Sequence, residues 1–260
     1  MVVGSRSFDR AAPFYDRTRG LPAEATARVT ELLVGELTGR GRCLEIGVGT
    51  GRIAWPLHEA GLPLTGIDLS RPMMSVLVEK AGGRVPFPLA QGDATALPFP
   101  DHRFGAVLAS HVFHLIPEWR RAITEVLRVV RPGGVLLSSR GGRDRDGVLG
   151  QVRAEFQGRL GVEAVNVGVA HASREVEDTL AEMGARERRL PPVRATRTTT
   201  VGSLIDSLEA GQWSWSWGLA GDRLREAGHS TREWARSRFG PLEEPVAVEV
   251  EVRWTAFDLG

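Results

Sequence analysis

The chain has 260 residues, of which 42% are hydrophobic and 25% charged, so it can bury a sizeable core without disulfides or metal ions. The single cysteine, Cys43, excludes an intramolecular disulfide and argues against a cysteine-rich metal site, and the net charge of +1 gives no basic field that would attract nucleic acid. No apolar run reaches about 18 residues and no secretory signal is visible, so we expect a cytoplasmic protein without a membrane span.

Apolar residues first recur at helical spacing from Pro22 to Leu37, before Gly41. Short apolar runs then alternate with longer amphipathic ones. They predict five strands, at Cys43–Ile46, Leu64–Asp68, Phe87–Gln91, Phe104–Ser110 and Val135–Ser139. They also predict helices at Ile53–Ala60, Pro72–Lys80 and Trp119–Val130, with a turn at residues 131–134. This alternation indicates βαβ crossovers and a doubly wound, mostly parallel α/β sheet.

The last third of the chain is less regular. Residues 140–147 are rich in Gly, Arg and Asp and predict an exposed loop, and Glu175–Met183 predicts a helix. Strand patterns follow at Arg194–Val201 and Val246–Phe257, and the second alternates apolar and charged residues as an antiparallel strand would.

Three blocks summarise the predicted organisation. An N-terminal helical segment (1–41) precedes a cofactor-binding core (42–140), and the remainder (141–260) completes the α/β domain with an insertion near 202–240. The insertion contains Trp213, Trp215 and Trp217, which would share one face of an extended segment. They either line a hydrophobic substrate pocket or pack the core.

A glycine-rich turn, GVGTG at residues 47–51, follows the first strand and opens a helix. Glycines allow a tight turn and a close approach to a ligand. The third glycine of a dinucleotide-binding turn would fall on Arg52, whose side chain obstructs that packing. Glu45, two residues before the turn, disfavours a pyrophosphate but could receive an ammonium group. Arg52 and Glu45 together favour a cofactor that carries an amino acid over a dinucleotide. The alternative is a turn with a purely structural role.

Acidic residues follow the next two strands. Asp68 ends the second strand about 20 residues after the turn, where a ribose-binding carboxylate is expected, and Ser70 suits the helix cap better. Asp93 could accept from an adenine amino group while the backbone of Ala94 reads a ring nitrogen, or it could simply form a Gly-Asp turn. The candidates to sandwich the ring are Leu69, Met73 and Leu97.

Histidines follow the fourth predicted strand, at the ligand-facing edge of such a sheet. His111 could act as a general base or orient a substrate hydroxyl, and so could His114, but both also suit a surface or packed histidine. Arg140, His171 and Arg174 could meet an anionic substrate, although most such residues are solvated. No carboxylate or cysteine completes a metal-ligand set around the histidines.

In their order and spacing, these motifs resemble the class I S-adenosylmethionine-dependent methyltransferases, closest to the type 11 and ubiquinone/menaquinone branch. The resemblance covers residues 42–140 and an upstream box at residues 12–16. It implies a seven-stranded, Rossmann-like sheet with an antiparallel last strand, for which residues 246–257 are the candidate. It also implies a helical lid near residues 202–240.

The resemblance also implies a role for each matching residue. In this family, Glu45, Gly47 and Gly49 would face the methionine moiety, Asp68 would hold the ribose, and Asp93 and Ala94 would hold the adenine. Ser110 and His111 would border the methyl group. Tyr15 would lie over the cofactor, although it could equally pack the N-terminal segment.

The expected reaction is methyl transfer from S-adenosylmethionine to a small organic acceptor by in-line displacement, which needs alignment more than a catalytic side chain. The alternatives are an RNA or protein methyltransferase, a nicotinamide-dependent oxidoreductase and an inactive cofactor-binding regulator. The near-neutral charge weighs against RNA, although Arg186, Arg188 and Arg189 could form a local phosphate patch.

Overall fold

A computed structural model describes residues 5, 7–139, 147–162, 168–170 and 173–260. Arg140, His171 and most of the predicted 140–147 loop therefore lie outside the described residues. The chain forms two compact units. The first comprises Met1–Gly141, Asn166–Val193 and Glu251–Gly260, and the second comprises Gly142–Val165 and Arg194–Val250. Within the described part, no helix is long and apolar enough to cross a membrane.

The first unit is built on a seven-stranded sheet. Five strands are parallel: β1 (Cys43–Ile46), β2 (Leu64–Asp68), β3 (Leu89–Gln91), β4 (Phe104–Ser110) and β5 (Val130–Ser139). β6 (Arg186–Arg189) forms one edge, and the last strand, β9 (Thr255–Asp258), runs antiparallel between β5 and β6. The strand order is β3-β2-β1-β4-β5-β9-β6. The chain first adds strands on one side of β1 and then crosses to the other side, so the topological switch point lies between the parallel strands β1 and β4.

Helices cover both faces of this sheet, as βαβ crossovers require. In chain order the described helices of the first unit are α1 (Tyr15–Arg19), α2 (Ala23–Leu37), α3 (Ala54–Glu59), α4 (Arg71–Lys80), α5 (Trp119–Val129) and α7 (Glu175–Glu182). Helix α6 lies in the second unit and is given below. All four residues of β1 and the first six of β4 are buried, since they lie in the middle of the sheet. The buried strands β1 and β4 thus form the centre of the sheet, and their carboxyl ends lie at the edge where ligands bind in such sheets.

Most of the predicted elements of the core are confirmed, with two differences. β3 begins at Leu89 instead of Phe87, because Pro88 precedes it and proline cannot donate to a ladder. Residues 131–134 are not a separate turn: β5 begins at Val130, and its register with β4 shifts across this stretch. Gly133 takes a left-handed φ of 74° there, a conformation that glycine supplies in one type of β-bulge.

The predicted strands of the last third required larger corrections. Val246–Phe257 is not one strand but two: β8 (Pro245–Val252), which pairs with β7 (Val193–Thr200) in a separate two-stranded sheet, and β9. The Arg194–Val201 pattern, which its order in the chain would make the sixth strand of the main sheet, corresponds to β7 and lies outside that sheet. The sixth strand of the main sheet in chain order is β6, whose sequence RERR has no apolar alternation. Ion pairs of Arg188 with Glu36 and Asp258 accommodate this charged edge.

In the second unit, three helices pack around a shared apolar core. They are α6 (Val148–Leu160), α8 (Val201–Glu209) and α9 (Gly221–Phe239). The tryptophans do not alternate along an extended segment, because residues 214–216 form a 3₁₀ turn. Trp213 is buried in this core and Trp215 packs against it, which supports the core-packing interpretation. The predicted lid insertion at 202–240 falls inside this unit, and its role as a lid stays a prediction.

Candidate functional site

The glycine-rich turn joins β1 to α3 at the carboxyl edge of the sheet. Gly47 has a φ of 68°, and a Cβ atom there would lie 2.8 Å from Val112. Gly51 has a φ of 73°, and a Cβ atom there would lie 2.4 Å from Leu77. Both positions thus combine a left-handed backbone with a space in which a Cβ atom would displace the neighbouring side chain. The sequence therefore sets the shape of this turn at its two ends.

The backbone amides of the turn are used within the protein. The amides of Gly47 and Val48 donate to the Ile67 carbonyl at 2.8 and 3.1 Å, and the Gly51 amide donates to Val48 at 2.9 Å. The Gly49 amide donates to the Asp68 carboxylate at 2.8 Å. A pyrophosphate is normally held by free amides of such a turn. These four amides are already paired, which weighs against a dinucleotide.

Asp68 ends β2 and is held by two backbone amides. One carboxylate oxygen accepts from Gly49, and the other accepts from the Ser70 amide at 2.7 Å. Burial raises the pKa of this carboxyl, although the two amides oppose the shift. The Ser70 side chain caps α4 by accepting from the Met73 amide, as predicted. Each carboxylate oxygen keeps a second lone pair, so Asp68 can still accept from hydroxyl groups of a ligand.

Glu45 is the buried acid of the site, with 2% of its surface exposed. Burial raises the pKa of its carboxyl to about 8, while Arg52 and the Ala54 amide counteract part of that shift. Among the described residues, its Oε2 atom has no hydrogen-bond partner. An unpartnered buried carboxylate oxygen is unfavourable unless a ligand satisfies it. Glu45 therefore has the chemistry to receive an ammonium group.

Asp93 makes the local turn that the alternative interpretation described. One of its carboxylate oxygens accepts from both the amide and the hydroxyl of Thr95, at 2.9 Å each. Burial raises the pKa of this carboxyl, but hydrogen bonds from Thr95 and Ser5, together with the charge of Arg121, outweigh burial and lower it overall. Ala94 and Leu97 are buried in the core cluster that includes Ile67. The turn and the adenine role are compatible, because the carboxylate has lone pairs to spare.

An arginine on α5 holds the segment after Asp93 in place. The Arg128 guanidinium donates to the carbonyls of Leu97 and Phe99 at 2.9 and 2.8 Å and to the carboxylates of Glu125 and Asp101. Glu125 in turn accepts from the Leu97 amide at 2.7 Å. We call this set the Arg128 clamp. Residue patterning did not indicate it, because its members are separated by up to 31 residues.

The remaining ring-sandwich candidates lie close to the turn and to Asp68. Met73 is 3% exposed, and its methyl group lies 3.2 Å from where a Cβ atom of Gly49 would be. Leu69 follows Asp68 and is partly buried. The structure thus brings Met73 against the glycine-rich turn and keeps Leu69 beside the predicted ribose acid.

Polar side chains also meet at the ends of β4 and β5. Arg52 donates to the Ser110 hydroxyl at 3.3 Å, and Ser110 is in register with Ser139. Because in-register neighbours present side chains on one face, Glu45, Ser110 and Ser139 share a face of the sheet. Ser139 is 1% exposed, and its hydroxyl has no partner among the described residues. Sequence reasoning missed Ser139, although a serine ending an apolar strand is a usable signal.

His111 follows β4 in a left-handed conformation with a φ of 55°, which is uncommon for a residue with a side chain. Its amide donates to the Ser139 carbonyl at 2.9 Å, so this backbone geometry links the ends of β4 and β5. His111 is partly buried, as expected for a residue bordering a site. Such conformations concentrate at functional sites, which keeps His111 as a candidate.

Other predicted residues lie apart from this arrangement or have structural partners. Arg186 and Arg188 pair with Asp258, and Arg189 pairs with Glu187, so they form part of an ion-pair network at the β6 edge rather than an open phosphate patch. Arg174 also pairs with Glu187. The described residues contain no group of three or more histidine, cysteine or acidic side chains arranged to hold a metal ion.

The N-terminal segment lies against the same edge of the sheet. Tyr15 is partly buried and packs edge-to-face on Phe8, with ring centroids 6.1 Å apart. The next residue, Asp16, accepts from the Thr50 hydroxyl in the glycine-rich turn at 2.7 Å. The upstream box is therefore attached to the turn. Asp16 and Thr50 lie within the two sequence motifs, which gave neither residue a role, and the structure adds both to the site.

Together, these residues fit an adenosyl amino acid. The unpartnered Glu45 oxygen suits an ammonium group, and Asp68 suits a ribose. Four amides of the turn are already paired, which does not suit a pyrophosphate. The fit thus distinguishes between two cofactor classes that both use glycine-rich turns.

Comparison with known proteins agrees with this assignment. The family model described as "Methyltransferase domain" matches residues 44–138. The chain is 38% identical over 164 residues to a phosphatidylethanolamine N-methyltransferase of Cereibacter sphaeroides, and the matched segment covers 60% of this chain and 78% of that protein. It is 36% identical over 133 residues to a demethylmenaquinone methyltransferase of Renibacterium salmoninarum, and this matched segment covers 50% of this chain and 55% of that protein. The chain thus spans about half the length of this quinone-modifying relative.

A solved structure shows the same fold. The YcgJ protein of Bacillus subtilis superposes with a TM-score of 0.60 at 19% identity, over 90% of this chain and 99% of that chain.

Proposed function

The chain belongs to the class I S-adenosylmethionine-dependent methyltransferases, and from that premise we propose that it methylates a small organic acceptor at the carboxyl edge of the seven-stranded sheet. The single observation that carries the site assignment is the buried Glu45 carboxylate. Its Oε2 atom has no partner among the described residues, and four amides of the adjacent turn already donate within the protein. An ammonium group would satisfy this oxygen, and a methionine moiety has one.

In this proposal, the residues at the strand ends divide the cofactor among them. Glu45 and the turn at Gly47 and Gly49 hold the methionine end. Asp68, which two backbone amides fix in position, accepts from the ribose hydroxyls. Asp93 and Ala94 hold the adenine, and the Arg128 clamp supports that segment. The ring would lie among Leu69, Met73 and Leu97.

When bound, S-adenosylmethionine supplies a methyl group on a sulfonium, whose departure leaves a neutral thioether. The protein must therefore mainly align the acceptor and exclude water. Ser110 and Ser139 lie on the sheet face that also presents Glu45, where their hydroxyls can orient a polar acceptor group. His111 is the candidate general base, and it is needed only for an acceptor atom that must lose a proton of high pKa.

Two observations support a small acceptor. The similar proteins named above are a phosphatidylethanolamine and a demethylmenaquinone methyltransferase. Arg186, Arg188 and Arg189, which could have bound an RNA phosphate, pair with carboxylates instead. RNA or protein methylation is the alternative. The cytoplasmic location that the sequence favours stays a prediction.

Transfer of label from methyl-labelled S-adenosylmethionine tests this function. The purified protein is incubated separately with total RNA, with a mixture of denatured proteins, and with a panel of quinols, phenols and primary amines. We expect label in the organic-soluble fraction of the small-molecule reactions only. Acid-precipitable label in the RNA or protein reaction would contradict the proposed acceptor class.

Two aspartate variants control this experiment. Asp68→Asn keeps the shape of the side chain but removes its charge, and at a subsaturating concentration of S-adenosylmethionine it should lower transfer by at least about tenfold. Asp178→Asn changes an exposed residue of α7 that pairs with Arg174, and it should leave transfer unchanged. Cofactor binding without transfer to any acceptor would instead favour the inactive-regulator interpretation.

A further inference from the structure

A strap formed by residues 8–19 crosses the ends of the strands that the cofactor assignment uses. The Asp9 carboxylate accepts from the hydroxyl of Ser70, next to the end of β2, and this bond lowers the pKa of Asp9. Further along, the Arg19 carbonyl accepts from the Arg52 guanidinium at 3.3 Å, just after the glycine-rich turn. The strap is thus attached near β2 at one end and near β1 at the other.

Asp16 makes two further attachments, to Thr50 and to Lys80. One of its carboxylate oxygens accepts from the Thr50 hydroxyl at 2.7 Å, and the other lies 2.5 Å from the Lys80 ammonium group. Lys80 also donates to the Thr50 carbonyl at 2.8 Å, which closes a triangle of three residues. The three residues come from the strap, the glycine-rich turn and the last turn of α4. Hydrogen bonds to charged groups are the stronger kind.

The position of Thr50 relates this triangle to the site. Thr50 is 1% exposed and lies between Gly49, whose amide holds Asp68, and Gly51. Lys80 ends the helix whose first turn begins at Ser70, after Asp68. A shift of Asp16 would therefore act directly on the glycine-rich turn, and on the segment after Asp68 only through α4.

The exposure of the triangle suggests that it can open. The side chains of Asp16 and Lys80 are 38% and 33% exposed, so separating them leaves no charge stranded in the core. Breaking a fully buried pair would be far more unfavourable. A cofactor under the strap can then enter and leave without unfolding of the sheet.

We propose that Asp16 is a positioning residue that acts through Thr50 and Lys80 to hold the strap over the bound cofactor and slow its release. The proposal rests on the cofactor site proposed above, but it assigns Asp16 no contact with the reacting atoms. It predicts that loss of Asp16 or of Lys80 shortens the time for which the cofactor stays bound, and that the two losses have the same effect. This effect should exceed any change in the free energy of unfolding of the unbound protein.

The test is the dissociation rate of S-adenosylhomocysteine, measured by chasing bound labelled ligand from the full-length protein. Asp16→Ala and Lys80→Met should each release the ligand about tenfold faster, since each removes a charge-assisted contact. The double variant should be no faster than the single ones, because both changes disrupt the same triangle. Glu24→Gln, which disrupts an exposed pair on α2, should release the ligand at the wild-type rate.

Two further measurements separate positioning from a general loss of structure. The KM for S-adenosylmethionine should rise about tenfold in Asp16→Ala while kcat does not fall, as expected for lost ground-state binding. Hydrogen–deuterium exchange of residues 8–19 should slow on adding S-adenosylhomocysteine to the wild type, but not to the variant. Asp16→Asn serves the same tests if Asp16→Ala does not fold.

The outcomes distinguish this proposal from the proposed function. Wild-type protein that binds the ligand, with variants that release it at the same rate, would overturn the role of Asp16 and leave the function intact. Additive effects of the two changes would also overturn it, because a shared triangle requires non-additivity. Wild-type protein that does not bind S-adenosylhomocysteine would overturn the proposed function and this inference with it.

Discussion

At the residue scale, the site combines groups that are unfavourable in the unbound protein. Glu45 is buried with an unpartnered oxygen, and burial raises its pKa to about 8. Asp68 also has a raised pKa, for the same reason. A cationic ligand lowers the raised pKa of a nearby carboxyl, because it favours the ionised form. Cofactor binding should therefore change the protonation of Glu45.

The first prediction follows from that linkage. Near pH 7 the Glu45 carboxyl is largely protonated in the unbound protein, and an ammonium group should ionise it, so binding of S-adenosylhomocysteine should release a proton. The affinity should consequently rise as the pH rises toward 8. Calorimetric titrations in two buffers of different ionisation enthalpy measure the proton released. Glu45→Gln should remove that release, and an unchanged value in the variant would assign the proton to another group.

A second prediction concerns the backbone of His111. Its φ of 55° should disfavour a β-branched residue, so His111→Val is expected to lower the free energy of unfolding by about 1–3 kcal/mol. His111→Gly should leave the unfolding free energy close to the wild-type value, because glycine adopts this conformation freely. Urea unfolding of both variants measures the difference. Equal stabilities would show that this conformation is not retained in solution.

The sequence reveals the residues of the site whose signal is local. Glu45, Gly47 and Asp68 could be selected because each stands beside a strand pattern. The roles of Asp16, Thr50 and Lys80 could not be predicted, although the first two lie within the selected motifs, since their contacts join positions 30 and 34 residues apart along the chain. For Asp93, both readings of the sequence remain compatible with the structure.

At the element scale, the Arg128 clamp joins α5 to the segment that follows β3. We predict that Arg128→Lys lowers the free energy of unfolding by about 1–3 kcal/mol, because a single ammonium nitrogen with three donors cannot reach both carbonyls and both carboxylates of the clamp. Denaturant unfolding measures this change. Arg120→Lys is the matched control on the same helix, where the exposed pair with Glu175 should contribute less than about 1 kcal/mol. Equal losses in the two variants would argue against the clamp.

Strand prediction succeeded where burial dictates the sequence. β1 and β4 are apolar because they lie in the centre of the sheet, and their bounds match the predicted ones. β6 was missed because an edge strand can be entirely charged when partners such as Glu36 and Asp258 are available. β8 and β9 were merged because both have strand character. Local pattern does not reveal that they belong to different sheets.

At the scale of the whole molecule, opposite pKa shifts predict a stability optimum at mildly acidic pH. Glu45 has a raised pKa, so its contribution to stability is lost as the pH rises from the ordinary 4.5 to about 8. Other carboxyls, paired with arginines, have lowered pKa values and contribute stability that is lost as the pH falls through those values: Glu36, Glu125, Glu187 and Asp258.

The unbound protein should therefore be most stable at about pH 5 to 6. Thermal unfolding across the pH range measures this profile. Glu45→Gln should flatten the alkaline side and leave the acidic side unchanged. A wild-type profile that keeps rising to pH 8 would show that Glu45 is ionised in the unbound protein.

The most direct test of the central claim is a calorimetric titration of the whole protein with S-adenosylhomocysteine, with NADH in parallel. We predict saturable binding of S-adenosylhomocysteine and none of NADH. Asp68→Asn should weaken that binding by at least about tenfold, because the variant presents an amide in place of the charged ribose acceptor. Asp178→Asn should bind as the wild type does. Saturable NADH binding without S-adenosylhomocysteine binding would contradict the assignment of this site to an adenosyl amino acid.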